Sequence, residues 1–216
     1  MTRPVALPAR VLLATRNEGK RRELAALLEP LGVAVHSLAD AGLAATPEED
    51  EIECYDTFEK NALAKARHFF SRAGVPTLAD DSGLVVDALD GRPGVRSKRF
   101  SGRTDLDGRE LDAANNAALM AALAGVSARA ARFVCVAAYV DGRREITRRG
   151  EIEGRILDEP RGGGGFGYDP YFYSGELGLT LAEAGIAEKG AVSHRGRALR
   201  ALCDALVTAS EDAAGH

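Results

Sequence analysis

The sequence predicts an α/β fold built on a mixed β-sheet. Short apolar runs typical of buried strands alternate with segments whose leucines recur at helical spacing. The dipeptide Asp141-Gly142 joins two strand-like runs as a tight turn and so adds an antiparallel pair to the sheet. With 216 residues, 45% of them hydrophobic, the chain can form one large domain or two small lobes around a substantial core.

The first half of the chain alternates strands with helices. Leu24, Leu27 and Leu28 share one face of the first helix. Thr57 can cap the second helix, and Glu59 lies favourably in its first turn. The expected elements are a strand at 11–14, a helix at 20–28, a strand at 33–38, an irregular acidic loop at 39–56 and a helix from the Thr57 cap to about residue 70.

The second half adds more strands and two helices. Thr104 or Asp105 can cap a long helix, and Leu199 and Leu206 mark the face of a final one. The expected elements are strands at 75–79 and 84–88 around Asp80-Asp81, a Gly/Pro/Arg segment at 90–103, a helix to about residue 123, hairpin strands at 132–140 and 143–149, a glycine-rich loop at 161–167 and a helix at 197–207. We expect one domain over residues 10–208, with disordered tails at 1–9 and 209–216.

Charge and cysteine content exclude several classes of function. The net charge of -4 and the pI of about 5.7 argue against a broad nucleic-acid-binding face. The three cysteines are widely spaced, fit neither a disulfide framework nor a zinc site, and indicate a reducing compartment. No signal peptide or transmembrane-length run is recognisable. We therefore expect a cytoplasmic protein with neither a nucleic acid nor a membrane as partner.

Asp80 and Asp81 are the most informative residues, because they lie side by side where an apolar run ends. Two carboxylates at the end of a buried strand are costly to desolvate unless something positive lies between them. Mg²⁺ meets that need, since it binds oxygen ligands and keeps several waters. An Asx turn, in which either carboxylate accepts local backbone hydrogen bonds, explains the pair as well. The dipeptide alone leaves both interpretations open.

A strand-to-helix junction precedes the first helix and is a candidate phosphate site. Such a junction offers free N–H groups and the positive end of the helix dipole to an anion. The P-loop pattern is absent, so the signal is weak, and a lysine at this position is more often simply solvated. The residues of this segment are Thr15, Arg16, Asn17, Glu18, Gly19 and Lys20.

A polar stripe on the next helix is a second candidate. Thr57, Asn61 and Lys65 are spaced by four residues and share one helix face. Such a stripe is usually a solvated surface. Glu53 precedes it and Asp80-Asp81 follows, so together they can form an acidic metal site with a lysine beside it.

Two later segments are candidates for contacts with a ligand. Phe166 and Tyr168 lie in a glycine-rich loop, where aromatic side chains suggest stacking on a base rather than a merely mobile loop. Lys189, His194 and Arg195 form a cluster of hydrogen-bond donors before the final helix. Because a helix start disfavours cations, an anionic or acceptor-rich ligand would compensate there.

Taken together, the motifs resemble the inosine triphosphatase family, also called dITP/XTP or non-standard purine NTP pyrophosphatases. They run in order from about residue 11 to 207 with the family's spacing. One departure is Tyr55, which stands where the family usually has a glycine in the loop after Glu53. The matching motifs are Ala14-Thr15-x-Asn17-x-Gly19-Lys20, Thr57-Phe58-x-x-Asn61-Ala62 with Lys65-Ala66, Ala79-Asp80-Asp81-Ser82-Gly83-Leu84, Pro93-Gly94-Val95, Gly164 to Pro170 and Ser193-His194-Arg195-Gly196.

The resemblance implies a homodimer of two-lobed α/β subunits, each with a long mixed sheet and a central cleft. It implies Mg²⁺-dependent hydrolysis of a nucleoside triphosphate to the monophosphate and pyrophosphate. By the same analogy Asp81 is the general base and a metal ligand, Glu53 is a second metal ligand, and Asp80 supports the metal site. Residues 15–20 and Lys65 would hold the phosphates.

Base selection is expected to depend on hydrogen-bond donors. We hypothesise that Phe166 stacks on the purine while His194 and Arg195 read its 6-oxo edge, because Arg195 can only donate and adenine presents a donor there. The expected substrate-binding residues are Thr15, Arg16, Asn17, Glu18, Gly19, Lys20, Asn61, Lys65, Ser82, Phe166, Gly167, Tyr168, Asp169, Lys189, His194 and Arg195.

Two alternatives remain for the function. One is a Maf-type pyrophosphatase acting on pyrimidine nucleotides, against which the Phe166 and His194-Arg195 segments argue. The other is a non-catalytic nucleotide-binding protein, in case Tyr55 disrupts the metal site. The intact Asp80-Asp81 pair argues against that.

Overall fold

A computed structural model describes residues 7–214 of the chain, without the side chains of Asp50 and of residues 209–214. The sheet has the strand order β2-β1-β3-β4-β5-β6-β7. Strand β1 runs parallel to β2 and β3, whereas β6 runs antiparallel to β5 and β7. The strands are β1 Arg10–Leu13, β2 Ala34–His36, β3 Thr77–Val86, β4 Ala130–Val140, β5 Glu145–Ile156, β6 Phe172–Ser174 and β7 Leu179–Thr180. The predicted α/β class with a mixed sheet is confirmed.

Six α-helices accompany the sheet within the described residues. Asn17 caps the first by accepting a hydrogen bond from Lys20 N at 3.0 Å. Thr57 caps the third, as predicted, by accepting from Lys60 N at 3.2 Å. The helices are α1 Glu18–Leu28, α2 Glu49–Ile52, α3 Phe58–Ala73, α4 Gly108–Ala122, α5 Ile186–Val192 and α6 His194–Ala214. No helix in the described part of the chain is both long and apolar enough to cross a bilayer.

The described residues divide into two compact units, which we call the first and the second unit. The first unit comprises residues 7–81, 135–150 and 195–214, and the second comprises residues 82–134 and 151–194. Strands β3, β4 and β5 contribute residues to both. The core of the first unit packs α1 and α6 on the sheet through residues such as Leu24, Ala137 and Leu202. That of the second includes Leu119 and Phe172.

The main departure from the prediction concerns Asp80 and Asp81. We expected two strands flanking a turn, but β3 runs unbroken over Thr77–Val86 with both aspartates inside it. A turn is not needed, because side chains from helices α1, α3 and α6 supply hydrogen bonds and positive charge to these carboxylates.

Smaller departures concern element ends and short elements. Asp107, rather than Thr104 or Asp105, occupies the N-cap position of helix α4, and its side chain makes no capping hydrogen bond. Helix α6 begins at His194 and continues to Ala214, beyond the predicted end at Val207, since no glycine or proline lies between Val207 and residue 215. Of the predicted tails, residues 1–6 and 215–216 lie outside the described residues, and Leu7 packs against the core of the first unit. The short elements α2, α5, β6 and β7 were not predicted.

Candidate active site

Asp80 lies at the centre of a buried charge cluster in the first unit. Its side chain is fully buried. Its Oδ2 lies 3.1 Å from the Lys20 ammonium, accepts a hydrogen bond from Arg195 Nε at 3.1 Å and lies 3.8 Å from the Cys135 thiol. Burial opposes ionisation, but Lys20, Arg195 and Lys65 outweigh it and hold the pKa of Asp80 well below its usual range. Asp80 is therefore a permanent anion at neutral pH.

Arg195 is the largest fully buried side chain of the described residues, and it completes this cluster. Besides Asp80, its guanidinium is ion-paired with Glu23 of α1. Burial alone would lower the pKa of Arg195, but the two carboxylates raise it above its ordinary value. The predicted need for an anion beside these donors is thus met within the protein. This placement favours a role in fixing Asp80 over the hypothesised contact with a base.

Asp81 has a different environment from its neighbour. It is 7% exposed, and its Oδ2 accepts a hydrogen bond from Asn61 Nδ2 at 3.0 Å. Burial raises the pKa of Asp81 above the ordinary value, and the charge of Glu53 adds to this, although Lys20 and Lys65 oppose it. Two adjacent carboxylates with pKa values displaced in opposite directions are suited to different chemical tasks.

Lys65, on α3, joins Asp80 to Glu53. Its ammonium donates to the Asp80 carbonyl at 2.8 Å and is ion-paired with Glu53. Burial would lower the pKa of Lys65, but Glu53, Asp80 and Asp81 together raise it. Burial likewise opposes ionisation of Glu53, whose pKa Lys65 and Lys20 nevertheless lower. Lys65, Glu53 and Asp80 are therefore all charged at neutral pH.

Asn61 connects Asp81 to the loop that follows Glu53. The side-chain oxygen of this buried residue accepts from Tyr55 N at 2.9 Å, and its amide nitrogen donates to Tyr55 O at 3.3 Å. Only the backbone of Tyr55 takes part, and its side chain is 46% exposed. Asp90 is the one non-glycine residue with a positive φ in the part of the chain that the structure describes, so Tyr55 is not strained where the family usually has glycine.

The strand-to-helix segment supplies one member of the cluster. Lys20 reaches Asp80, whereas Arg16 forms a two-pronged ion pair with Glu49 at 2.8 and 3.0 Å. Glu18 pairs with Arg21 at 2.6 Å. Within the segment, Thr15 Oγ1 accepts from Asn17 N at 3.1 Å, and Gly19 lies in the first turn of α1. Of these side chains, that of Lys20 is the one placed to act at the carboxylates.

In the second unit, two of the predicted residues, Phe166 and Lys189, lie together. Lys189 and Asp169 form a buried ion pair at 2.5 Å, and Phe166 N donates to Asp169 Oδ2 at 2.9 Å. The Lys189 ammonium lies 5.1 Å from the centre of the Phe166 ring. His194 stacks on Phe133 with ring centres 4.8 Å apart. Phe166, Asp169 and Lys189 thus form a compact cluster, with a half-buried aromatic ring above an ion pair.

Tyr168 and Ser82 complete the predicted set. Tyr168 is buried, its hydroxyl donates to the Ser97 carbonyl at 2.8 Å, and burial raises its pKa. The hydroxyl therefore serves the second unit's own packing. Ser82 follows Asp81 on β3 and is half-buried.

Comparison with known proteins identifies the family. Residues 11–205 match the Ham1 family. The chain belongs to the Ham1 family. This membership confirms the resemblance drawn from the sequence motifs, since relatives of the chain carry the expected name, dITP/XTP pyrophosphatase.

Three relatives illustrate the match. A dITP/XTP pyrophosphatase of Geobacter sulfurreducens is 50% identical over 91% of this chain and 96% of its own length. One from Ralstonia nicotianae is 48% identical over the same shares. The solved structure of a HAM1 protein from Coxiella burnetii has a TM-score of 0.77 and 37% identity, and the match covers 92% of this chain and 98% of that one.

Several residues with contacts to the predicted site were missed by sequence reasoning, among them Glu23, Cys135, Asp112 and Asn116. Glu23 lies one helical turn after Lys20 on the same face of α1, and this spacing could have indicated that it lies near the site. Cys135, Asp112 and Asn116 gave no such signal, because their contacts join segments distant in sequence.

The acidic residues alone do not form a ready-made metal cage. Among the described residues, no group of three or more histidine, cysteine, aspartate or glutamate side chains is arranged to hold a metal ion. Glu53 is paired with Lys65 instead. Asp80 Oδ1 is nevertheless a buried oxygen with no hydrogen-bond partner among the described groups.

Proposed function

We propose that this Ham1-family protein hydrolyses non-standard purine nucleoside triphosphates, ITP, dITP and XTP, to the monophosphate and pyrophosphate. The observation that carries the proposal is the arrangement of Lys20 and Lys65 around Asp80, Asp81 and Glu53 in the first unit. The names of relatives that are 48–50% identical over most of the chain support the same activity.

In the proposed reaction, Asp81 takes a proton from a water molecule whose oxygen attacks the α-phosphorus. The bond from that phosphorus to the bridging oxygen of the β-phosphate breaks, and pyrophosphate leaves with the bonding electrons. The raised pKa of Asp81 fits this task better than the depressed pKa of Asp80, because a stronger base accepts a proton more readily.

Lys20 and Lys65 suit the role of balancing phosphate charge. Both ammonium groups are largely buried and lie beside carboxylates, and Glu53, Asp80 and Asp81 raise the pKa of Lys65. As pyrophosphate leaves, negative charge develops on the oxygen that bridged the α- and β-phosphates, and fixed cations stabilise that charge. At the start of α1, Asn17 N and Lys20 N already donate to the side chains of Thr15 and Asn17, so a backbone contribution there falls to the remaining N–H groups of the first turn.

The residues also suit a magnesium ion. Mg²⁺ is commonly held by one or two carboxylates together with waters and substrate phosphates, so a complete protein cage is not required. Asp81 and Glu53 are the carboxylates that would hold it, and Asp80, whose buried Oδ1 has no hydrogen-bond partner among the described groups, would support them. When bound, the ion polarises the α-phosphoryl group and acidifies a bound water.

We assign base recognition to residues of the second unit. The half-buried Phe166 ring offers a stacking surface with Lys189 and Asp169 in the same cluster, and His194, stacked on Phe133, remains a proposed contact of the base. We also propose a positioning role for Arg195, which holds Asp80, because Asp80 and the half-buried Glu23 both accept hydrogen bonds from its guanidinium.

One assay tests the activity. Pyrophosphate release is measured from ITP, XTP, GTP, ATP and dTTP, with Mg²⁺ and after its removal by a chelator. We expect rapid release from ITP and XTP, little from the others, and none without the metal. Preference for dTTP would support a Maf-type enzyme, and binding of ITP without turnover would support a non-catalytic nucleotide-binding protein.

Assembly and location remain part of the proposal. The resemblance implies a homodimer, which light scattering coupled to size-exclusion chromatography would test. Cys54, Cys135 and Cys203 are free thiols, in keeping with a reducing cytoplasm.

A further inference from the structure

Two residues of α4 hold the backbone of Gly167 in the glycine-rich loop. Asp112 Oδ2 accepts a hydrogen bond from Gly167 N at 2.8 Å, and Asn116 Nδ2 donates to Gly167 O at 2.9 Å. They are four residues apart and therefore share one helix face. Asn116 Nδ2 also donates to Asp112 O at 2.9 Å, which fixes its own orientation. The peptide groups on both sides of Gly167 are thus held by hydrogen bonds to helix α4.

The amide of Phe166 is held from the other side. Phe166 N donates to Asp169 Oδ2 at 2.9 Å. Gly165 has a φ of +69°, and a Cβ atom there would overlap the Asp169 carboxylate, so only glycine permits this approach. The amides before and after the Phe166 Cα are therefore both bound by carboxylates, Asp169 and Asp112.

Anchors of this kind counter the freedom of a glycine-rich loop. Residues 162–165 and 167 are glycine, and such a segment loses more backbone entropy on ordering than any other. A stacking ring on an unanchored loop would lose that entropy each time a ligand bound. Holding the ring in advance removes this cost from binding.

We propose that Asp112 and Asn116 are positioning residues that fix the Phe166 ring for stacking on the purine of the substrate. This inference rests on the proposed function, in which Phe166 takes the base. Neither α4 residue need touch the substrate, since each acts through the backbone of Gly167. They set affinity for the nucleoside part of the substrate rather than the rate of phosphoryl transfer.

A double-mutant cycle tests the inference in the full-length protein with Mg²⁺ and ITP. Asp112→Ala is expected to lower kcat/KM about tenfold, mainly through KM, because one charge-assisted hydrogen bond is lost. In a Phe166→Ala background the same substitution should change kcat/KM by less than about twofold, since no ring remains to be positioned. Asn116→Asp, which keeps the size but loses both donors, should resemble Asp112→Ala.

Two matched variants serve as controls. Glu110→Ala removes an exposed carboxylate from the same helix and should leave kcat/KM unchanged. Asp112→Asn retains an oxygen that can accept from Gly167 N, so it should restore most of the lost efficiency. Thermal unfolding of each variant separates these effects from a failure to fold.

A second readout needs no substrate. The chain contains no tryptophan, so Phe166→Trp introduces a single fluorescent reporter at the ring position. Adding Asp112→Ala to this variant should speed the decay of fluorescence anisotropy and increase quenching by acrylamide, whereas adding Glu110→Ala should change neither.

Equal losses from Asp112→Ala in the wild-type and Phe166→Ala backgrounds, or an unchanged anisotropy decay, would overturn the inference. A wild-type protein that hydrolyses no purine triphosphate would instead contradict the proposed function. The fluorescence measurement still decides the positioning role in that case.

Discussion

Asp80 and Asp81 are neighbours in sequence but differ in chemistry. Asp80 is ion-paired with Lys20 and Arg195, which lower its pKa. Burial and the charge of Glu53 instead raise the pKa of Asp81. The side chains of adjacent strand residues point to opposite faces of the sheet, which allows such different surroundings. The dipeptide could be recognised from the sequence, but its division of labour could not, since Arg195 lies 115 residues away along the chain.

Replacement of Asp81 by Asn is expected to lower kcat by about a hundredfold or more, because a general base is lost. The fold should persist, since Asn can retain a contact with Asn61. Turnover of ITP at saturating Mg²⁺ and circular dichroism are the measurements, with the exposed Asp204→Asn as control. Turnover within a few-fold of wild type would remove Asp81 from the role of base.

Replacement of Asp80 by Asn is expected to reduce stability at neutral pH by about 3–5 kcal/mol, because buried cations lose their partner. The folded pKa of Asp80 is below its unfolded value, so its contribution is present above about pH 4 and is lost as the pH falls. The difference between variant and wild type should therefore shrink in acid. Urea unfolding followed by circular dichroism from pH 3 to 7 measures it, and a difference independent of pH would contradict the account.

At the scale of elements, the Thr57 cap and the long amphipathic helices were predictable because they carry local signals. Thr57 begins α3 as expected, and α1 starts close to Lys20. Strands β6 and β7 have three and two residues, too few to show a period. Strand β3 was divided in the prediction because two adjacent aspartates suggest a break unless their distant partners are known.

Asn61 links α3 to both Asp81 and the Tyr55 loop, so its loss should affect the site more than a change of Tyr55 itself. Asn61→Ala should lower kcat/KM for ITP by about tenfold to a hundredfold, because several buried groups lose their partner. Tyr55→Gly, the matched comparison, should stay within a few-fold, since the loop uses only the Tyr55 backbone. The reverse order of effects would show that the Tyr55 side chain, and not the hydrogen bonds from the Asn61 amide, determines the conformation of the loop.

At the scale of the whole molecule, phosphate chemistry and base recognition are proposed for different units. The first unit holds Lys20 and Lys65 with the acidic residues, and the second holds Phe166 and Lys189. The motifs for both sets could be read from the sequence. Their separation into two compact units depends on contacts between distant segments, which spacing does not reveal.

This division predicts that Lys20→Ala and Lys65→Ala weaken the binding of all nucleoside triphosphates to a similar extent, because the phosphates carry no information about the base. The ratio of kcat/KM for ITP to that for ATP should therefore stay close to the wild-type ratio in both variants. Steady-state kinetics with the two substrates measure the ratio. A variant that accepted ATP well would place its lysine in base recognition.

The central claim is that water attacks the α-phosphorus of the nucleotide. Hydrolysis of ITP in ¹⁸O-labelled water, followed by mass spectrometry of the products, tests it directly. We predict one ¹⁸O atom in inosine monophosphate and none in pyrophosphate. Label in pyrophosphate, or release of inosine diphosphate and inorganic phosphate, would contradict the account.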